Sequence, residues 1–452
     1  MVLKMKAIMY AAILFSFFLV ACRKEKKIAE TAYSLNSENE DEINNILGPS
    51  KKASLILPES NDFASIPQDP KNPLSVEKIQ LGQLLFHETR LGGAPKIRQG
   101  LFTYSCASCH HAEAGFQSGL AQSLGEGGIG FGITGEARVP SLPFRDSVDA
   151  PAIRAPSALN TAFQEVTLWN GGLGATGVNA GTEYAWTGPL FSSNFLGFQG
   201  LETQAIVAQN VHRLKVDTGF FLSEPVYKNL FNQAFSSLPG NERISQTTVG
   251  LAIAAYERTL FTNRSPFQQW LKGDKTAMTQ DEKLGAQLFF GKAQCSSCHN
   301  GPALNSMQFF ALGMSDLQNG VNGAINIKGK NIQKGRGDFT QKDSDMFKFK
   351  VPQLYNLKDV KFFGHGASFT SVIDVIKYLN TAEPQNDNVP IAQLAKEFKP
   401  LSLTDDEINK IVAFIENALY DPHLLRYEPL SVPSGNCIPN NDKQSRIDRG
   451  CE

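Results

Sequence analysis

Two short runs carry the clearest chemistry in this chain, Cys106-Ala107-Ser108-Cys109-His110 and Cys295-Ser296-Ser297-Cys298-His299. Each is a Cys-x-x-Cys-His. Two thiols three positions apart sit on one turn of backbone and can form thioethers to the two vinyl groups of one porphyrin. The adjacent imidazole is then delivered to the iron as an axial ligand. A structural zinc site would instead pair two Cys-x-x-Cys units roughly 15–20 residues apart. Here the units lie in opposite halves of the chain, and each is followed directly by His. A thioredoxin-like dithiol needs one motif and makes no use of the next His. The pattern predicts two covalently bound haem c groups, one on Cys106 and Cys109 and one on Cys295 and Cys298. His110 and His299 are the expected iron ligands.

The other three of the seven cysteines are Cys22, Cys437 and Cys451. Lys4 and Lys6 precede an apolar run over residues 7–20, which ends Leu19-Val20-Ala21-Cys22. A basic start, a short apolar stretch and small residues at a cleavage point describe a signal peptide over 1–21. The run is too short for a spanning helix. Its end resembles the lipobox of bacterial lipoproteins, which implies cleavage before Cys22 and acylation of that thiol. The expected location is the periplasmic side of a bacterial envelope, with membrane contact through a lipid anchor only. In such an oxidising compartment Cys437 and Cys451 can pair as a disulfide within a C-terminal tail, 426–452.

The elements that must hold the two motifs read as helices joined by long loops. The 452 residues carry a net charge of −1, with 42% hydrophobic and 19% charged residues, an ordinary globular balance with no basic excess for nucleic acid. Residues 22–64 are polar, with Glu38, Glu40, Asp41 and Glu42 clustered, and read as a flexible tether. Ser75 can cap a helix through Phe86 that leads to the first motif. The glycine-rich stretch 125–130 then looks too flexible for regular structure. Helical periodicity returns over 201–214 and over 248–261, where Val249, Ile253, Tyr256 and Leu260 share a face. Ser265-Pro266 marks a boundary between an N-terminal domain, 65–264, and a C-terminal one, 265–425. Thr279 to Glu282 has capping-box form and opens a helix before the second motif. Further helices carry Val372, Val375, Ile376 and Leu379, and then Ile408, Ile411, Val412 and Ile415 behind a second capping box, Thr404 to Glu407. Both halves thus repeat one plan: capped helix, short link, Cys-x-x-Cys-His. The fold class is mainly α.

With both motifs, the runs at 347–357 (FKFKVPQLYNL), 254–271 (AAYERTLFTNRSPFQQWL) and 81–91 (LGQLLFHETRL) resemble the bacterial di-haem cytochrome c peroxidase family, which includes the MauG proteins. The resemblance covers about 65–425. It implies two cytochrome c-like helical haem domains with long loops. It also implies hydrogen peroxide reduction at the N-terminal, peroxidatic haem. Electrons would come from a small periplasmic donor, such as a mono-haem cytochrome c, through the C-terminal haem. MauG-like oxidation of a partner protein and a non-catalytic di-haem electron carrier are the competing readings.

By the same resemblance, Trp169 matches a tryptophan between the haems and Gln204 an active-site glutamine, while His365 matches a histidine of the C-terminal domain. Glu126 stands where the peroxidases place a loop histidine that ligates the resting N-terminal haem. The distal glutamate position falls at 212–214, which here reads His212-Arg213-Leu214. His212 is therefore expected to act as base, with Arg213 as charge and Glu126 as the rival base. The sixth ligand of the second haem, Met or Tyr in the family, falls on Leu379, with Tyr378 adjacent but about 100° round the helix. The family's calcium site looks impaired, since Ala155 replaces an asparagine ligand and Lys361 sits in the carbonyl-donating loop.

Overall fold

The computed structural model describes residues 40–451. The expected signal peptide, Cys22 and the first part of the tether lie outside the described residues. From residue 40 onward the tether reading is corrected. Residues 40–54 form helix α1. Ile43 and Leu47, four apart, lay one apolar stripe against the core of the second half, where Leu55 and Leu57 join them. Glu40 pairs with the buried Lys283 at 3.0 Å, and the Lys52 ammonium lies 3.8 Å over the Trp270 ring. Leu57 N–H donates to Gln268 Oε1 at 2.8 Å, and Gln268 Nε2 donates back to Leu55 O at 2.9 Å.

The first half contains α2 (Val76–His87), α3 (Gly200–Val211), α4 (Pro225–Ala234) and α5 (Gln246–Glu257). The second contains α6 (Pro266–Leu271), α7 (Gln280–Phe290), α8 (Val372–Thr381) and α9 (Asp405–Ala413). Side-chain caps start the helices that lead to the motifs. The Ser75 hydroxyl accepts from Lys78 N at 3.2 Å. Thr279 and Glu282 satisfy each other's backbone N–H groups, as do Thr404 and Glu407. One packing device recurs in the two halves. A Cβ on Gly82 would lie 1.9 Å from Ala252 O, and one on Gly285 would lie 2.0 Å from Lys410 O. α2 therefore crosses α5, and α7 crosses α9, with backbones nearly touching, each at the glycine of a Leu-Gly pair just before a haem motif.

The expected apolar face of α5 is buried, with Val249, Ile253 and Tyr256 packed toward α2 and α3. Arg258 and Glu202, both fully buried, make a two-pronged pair (2.8 and 2.7 Å) that ties α3 to the end of α5. The second core is built on Phe267, Trp270, Phe289 and Phe414, with Phe414 edge-on to Phe267 at 5.2 Å. Among the described residues no helix is long and apolar enough to cross a membrane.

The boundaries differ from expectation. Residues 55–66 belong to the second core, whereas Leu424 and Tyr427 belong to the first. The C-terminal tail wraps the first motif. Ser105 Oγ donates to Pro439 O at 2.8 Å, Asn441 N to Thr103 O at 3.1 Å, and Arg449 pairs with Glu113 at 2.5 Å. Cys437 and Cys451 are bonded, with Cα atoms 5.8 Å apart. The glycine-rich stretch is not shapeless either. β1 (Gly128–Ile129) pairs antiparallel with β2 (Val139–Pro140). The buried Arg138 holds this ribbon by donating to Leu124 O (2.7 Å) and Gly125 O (2.9 Å) while pairing with Asp442 of the tail at 3.3 Å. A second ribbon, β3 (Phe309–Phe310) and β4 (Phe349–Lys350), sets Phe309 opposite Lys350.

Candidate active site

Each motif is a single tight turn, Cys106–Ser108 and Cys295–Ser297. His110 N–H closes back on Cys106 O at 3.2 Å, and His299 N–H on Cys295 O at 2.9 Å. Both motifs line one continuous cavity of about 1280 Å³. That exceeds the roughly 300–1,000 Å³ of a typical small-molecule pocket. Burial pushes the thiols of Cys106, Cys109 and Cys295 up to about 12, and raises Cys298 as well. Thiols held in their neutral form suit thioether linkage. His110 Nδ1 is 3.2 Å from Phe116 O, while His299 Nδ1 is 3.0 Å from Leu304 O and 3.1 Å from Pro352 O. A carbonyl partner places the proton on Nδ1 and leaves the Nε2 lone pair free for iron. Burial pushes His110 down to about 4 and lowers His299, so both rings are neutral, as a ligand must be. The residues present fit haem c at both motifs.

α3 brings Gln204 and His212 to the same cavity. α3 was expected to run to Leu214 but ends at Val211. His212 caps it, donating its N–H to Ala208 O at 2.8 Å. The His212 ring, 38% exposed toward the cavity, holds Asp149 Oδ2 through Nδ1 at 2.9 Å. Burial alone would lower its pKa. The hydrogen bond and charge of Asp149 outweigh that, so the ring holds its proton to higher pH than an ordinary histidine. The carbonyl end of α3 acts in the same direction. Asp149, which the sequence did not single out, is fixed by a main-chain pair: its N–H donates to Glu126 O and its carbonyl accepts from Gly125 N, both at 2.8 Å.

Two expected residues are elsewhere. Arg213 takes a left-handed φ of 57°, which turns its side chain away from His212. Its Nη1 donates to Glu126 Oε2 and, at 2.7 Å, to Ser147 O. Glu126 is fully buried, accepts from Ile97 N at 3.1 Å through Oε1, and occupies the space that a Cβ on Gly100 would need. Neither residue lines the cavity. The reading of Glu126 as rival base, and of Arg213 as a charge at the reacting oxygens, is therefore corrected: they form a structural pair behind the site.

Trp169 lies on the cavity wall with both motifs, its Nε1 donating to Arg154 O at 2.7 Å. His365 meets it edge-on at 6.3 Å, stacks on Phe349 at 3.7 Å, and bonds Asp316 through Nε2 at 2.8 Å. On the second motif's side Leu379 lines the cavity, while the Tyr378 hydroxyl is turned into a 2.5 Å bond to Leu312 O. Met314 is the one methionine on the cavity wall among the described residues. Ala155 also lines the cavity, and Lys361 is exposed.

Two attachment motifs on one cavity, each with an anchored neutral histidine, define a di-haem c-type protein. The family described as di-haem cytochrome c peroxidase matches residues 76–276. The chain is 28% identical to the methylamine utilization protein MauG of Methylorubrum extorquens, over 82% of this chain and 85% of that protein. It is 26% identical to the cytochrome c551 peroxidase of Nitrosomonas europaea, over 82% of this chain and 87% of that one. A crystal structure of a MauG-like protein associated with microbial copper homeostasis shares the fold, with a TM-score of 0.58 and 24% identity over 82% of this chain and 96% of that chain. The chain is thus similar to the di-haem cytochrome c peroxidase and MauG proteins, a likeness that supports a peroxidase-type oxidoreductase with two covalently bound haem c groups.

Proposed function

We propose that the chain reduces hydrogen peroxide to water at the N-terminal haem, with electrons from a small mono-haem cytochrome entering through the C-terminal haem. The observation that carries this reading is the His212–Asp149 pair on the cavity, close enough to the first motif that its charges bear on His110 and Cys109. Haem c, when bound, supplies the iron that takes peroxide and the route for two electrons. Cleavage moves one proton from the near oxygen to the leaving one, and full reduction to two waters then takes two electrons and two further protons from solvent. Asp149 holds the proton on Nδ1 and leaves Nε2 of neutral His212 as the accepting atom. The imidazolium that results is stabilised by the same carboxylate before Nε2 returns its proton, the logic of a base oriented by a carboxylate. Gln204, eight residues earlier and so about two turns away on α3, presents an amide to the same space. Trp169, on the wall common to both motifs, is the residue best placed to pass an electron between the halves.

We place the chain on the periplasmic side of the envelope, anchored through an acylated Cys22. The deciding experiment is turnover of peroxide by the purified holoprotein with a reduced mono-haem cytochrome as donor. A rapid spectral response to peroxide without cytochrome oxidation would favour the partner-oxidising chemistry of MauG relatives. No response to peroxide would leave an electron carrier.

A further inference from the structure

Several buried cations in this fold face carboxylates. Arg258 faces Glu202, Arg138 faces Asp442 and Lys283 faces Glu40, all inside the protein. Lys78 and Arg336 are met by carbonyl and amide oxygens instead, and so are Arg154 and Lys350, but of these four only Arg154 and Lys350 line the cavity. Arg154 is 3% exposed and Lys350 7%, both line the cavity, and among the described residues neither has a carboxylate partner. Arg154 Nη1 donates to Gln117 Oε1 and to Ala155 O at 3.4 Å, Nη2 reaches Ser118 O at 3.5 Å, and Nε has no partner. Lys350 Nζ donates to Gln164 Oε1, which uses one of its three hydrogens. Burial unopposed by any neighbouring anion pulls Lys350 down to about 7 and Arg154 down to about 10. A buried charge without a counter-ion is costly, so two of them on one cavity wall call for an anion.

The two cations also share an anchor. Trp169 Nε1 donates to Arg154 O at 2.7 Å, and Lys350 N donates to Trp169 O at 2.8 Å. They therefore flank the tryptophan that stands on the wall common to both motifs. On β4, Lys350 sits beside Phe349, which stacks on His365, and opposite Phe309. In so apolar a setting a lysine is out of place unless something charged meets it.

We infer that Arg154 and Lys350 are the counter-charges of the haem propionates, holding the porphyrin carboxylates beside Trp169. Thioether formation uses the vinyl groups of each porphyrin, and the propionates are the charged groups left on its edge. Two haems bring more carboxylate into the cavity than its walls otherwise neutralise. A cation at this place favours the ferrous over the ferric state, because it offsets the negative propionates close to the iron.

The test uses the holoprotein and Lys350→Met, which keeps length and removes charge. The variant should still carry two haems by pyridine haemochrome assay. One of its two midpoint potentials should fall by a tenfold change in the ferric–ferrous ratio, about 59 mV for one electron. The propionate-bending band of that haem in resonance Raman should move with it, and Lys350→Arg should restore both. Should the methionine variant fail to mature, Lys350→Gln carries the same expectation. Unchanged potentials and bending bands in the neutral variants would overturn the inference. So would a wild-type potential that responds to added inorganic phosphate and loses that response in Lys350→Met while the bending bands stay put, since the cations would then hold a free anion.

Discussion

His212 Nδ1 and Asp149 Oδ2 are 2.9 Å apart, joining the end of α3 to a loop 63 residues earlier in the chain. The carboxylate does two things to the ring. It fixes which nitrogen faces the cavity, and it holds the ring's proton to higher pH than usual. The folded pKa is raised, so the neutral, proton-accepting form is present above that raised value and lost as pH falls through it. Asp149→Asn should therefore move the acidic limb of the kcat/KM profile to lower pH and lower the plateau. His212→Ala should reduce peroxide turnover by about 10²–10⁴ at unchanged haem content, the range of general acid–base assistance. An acidic limb that stays in place in Asp149→Asn would remove His212 from the reaction.

Glu126 and Arg213 answer to a different measurement. Glu126 is fully buried and keyed to Arg213, Ile97 N and the space above Gly100. Removing one partner of a buried pair costs about 3–5 kcal/mol, because the other charge is left uncompensated. Glu126→Gln should lower the thermal midpoint by roughly ten degrees, at about 2–4 °C per kcal/mol for a protein of this size class. Adding Arg213→Met should recover part of that loss. Turnover well below the transition should change little; its abolition in Glu126→Gln would return the carboxylate to the chemistry.

What the sequence made legible was local. Two thiols and an imidazole at fixed spacing, a Thr three residues before a Glu, and apolar positions three or four apart on α5 and α9 each act within one or two turns of chain. The Leu-Gly pair on the helix before each motif is not singled out by the sequence; only the crossing geometry shows why Gly82 and Gly285 admit nothing larger. The errors were non-local. Helix α1 hides two apolar contacts, Ile43 and Leu47, among charges that turn out to pair with Lys283 and cover Trp270. Asp149 has no motif of its own, and its partner lies on another element. Arg213 was misjudged because α3 ends at Val211: a left-handed residue two positions on redirects a side chain that helical continuation would have kept beside His212.

Trp169→Phe tests the link between the halves. Phenylalanine keeps an aromatic ring against His365 but is far harder to oxidise, and it gives up the 2.7 Å bond to Arg154 O. Both haems should remain, with their attachment unaffected. Electron transfer from the C-terminal to the N-terminal haem, followed by stopped-flow absorbance, should slow. Kinetics identical to wild type would make Trp169 a packing residue only.

The tail reaches the His212–Asp149 pair through a continuous chain of contacts. Asp442 accepts from Gly130 N at 2.9 Å and pairs with Arg138 at 3.3 Å; Arg138 donates to Gly125 O at 2.9 Å; Gly125 N donates to Asp149 O at 2.8 Å; Asp149 holds His212. The Cys437–Cys451 bond closes this tail into a loop, and for a loop of about 15 residues the chain-entropy estimate is about 3 kcal/mol. Replacing both cysteines by Ser should therefore loosen the tail first, seen as faster amide exchange at 128–131, where Gly130 and Phe131 N–H groups are held by Asp442 and Asp448. Turnover should drop with it, because the Asp149 carboxylate is no longer fixed against the ring. A double-mutant cycle makes the cause explicit: in a His212→Ala background the cysteine replacements should produce little further loss, since the pair they position is already gone. Losses that simply add would mean that the tail supports the fold without reaching the site.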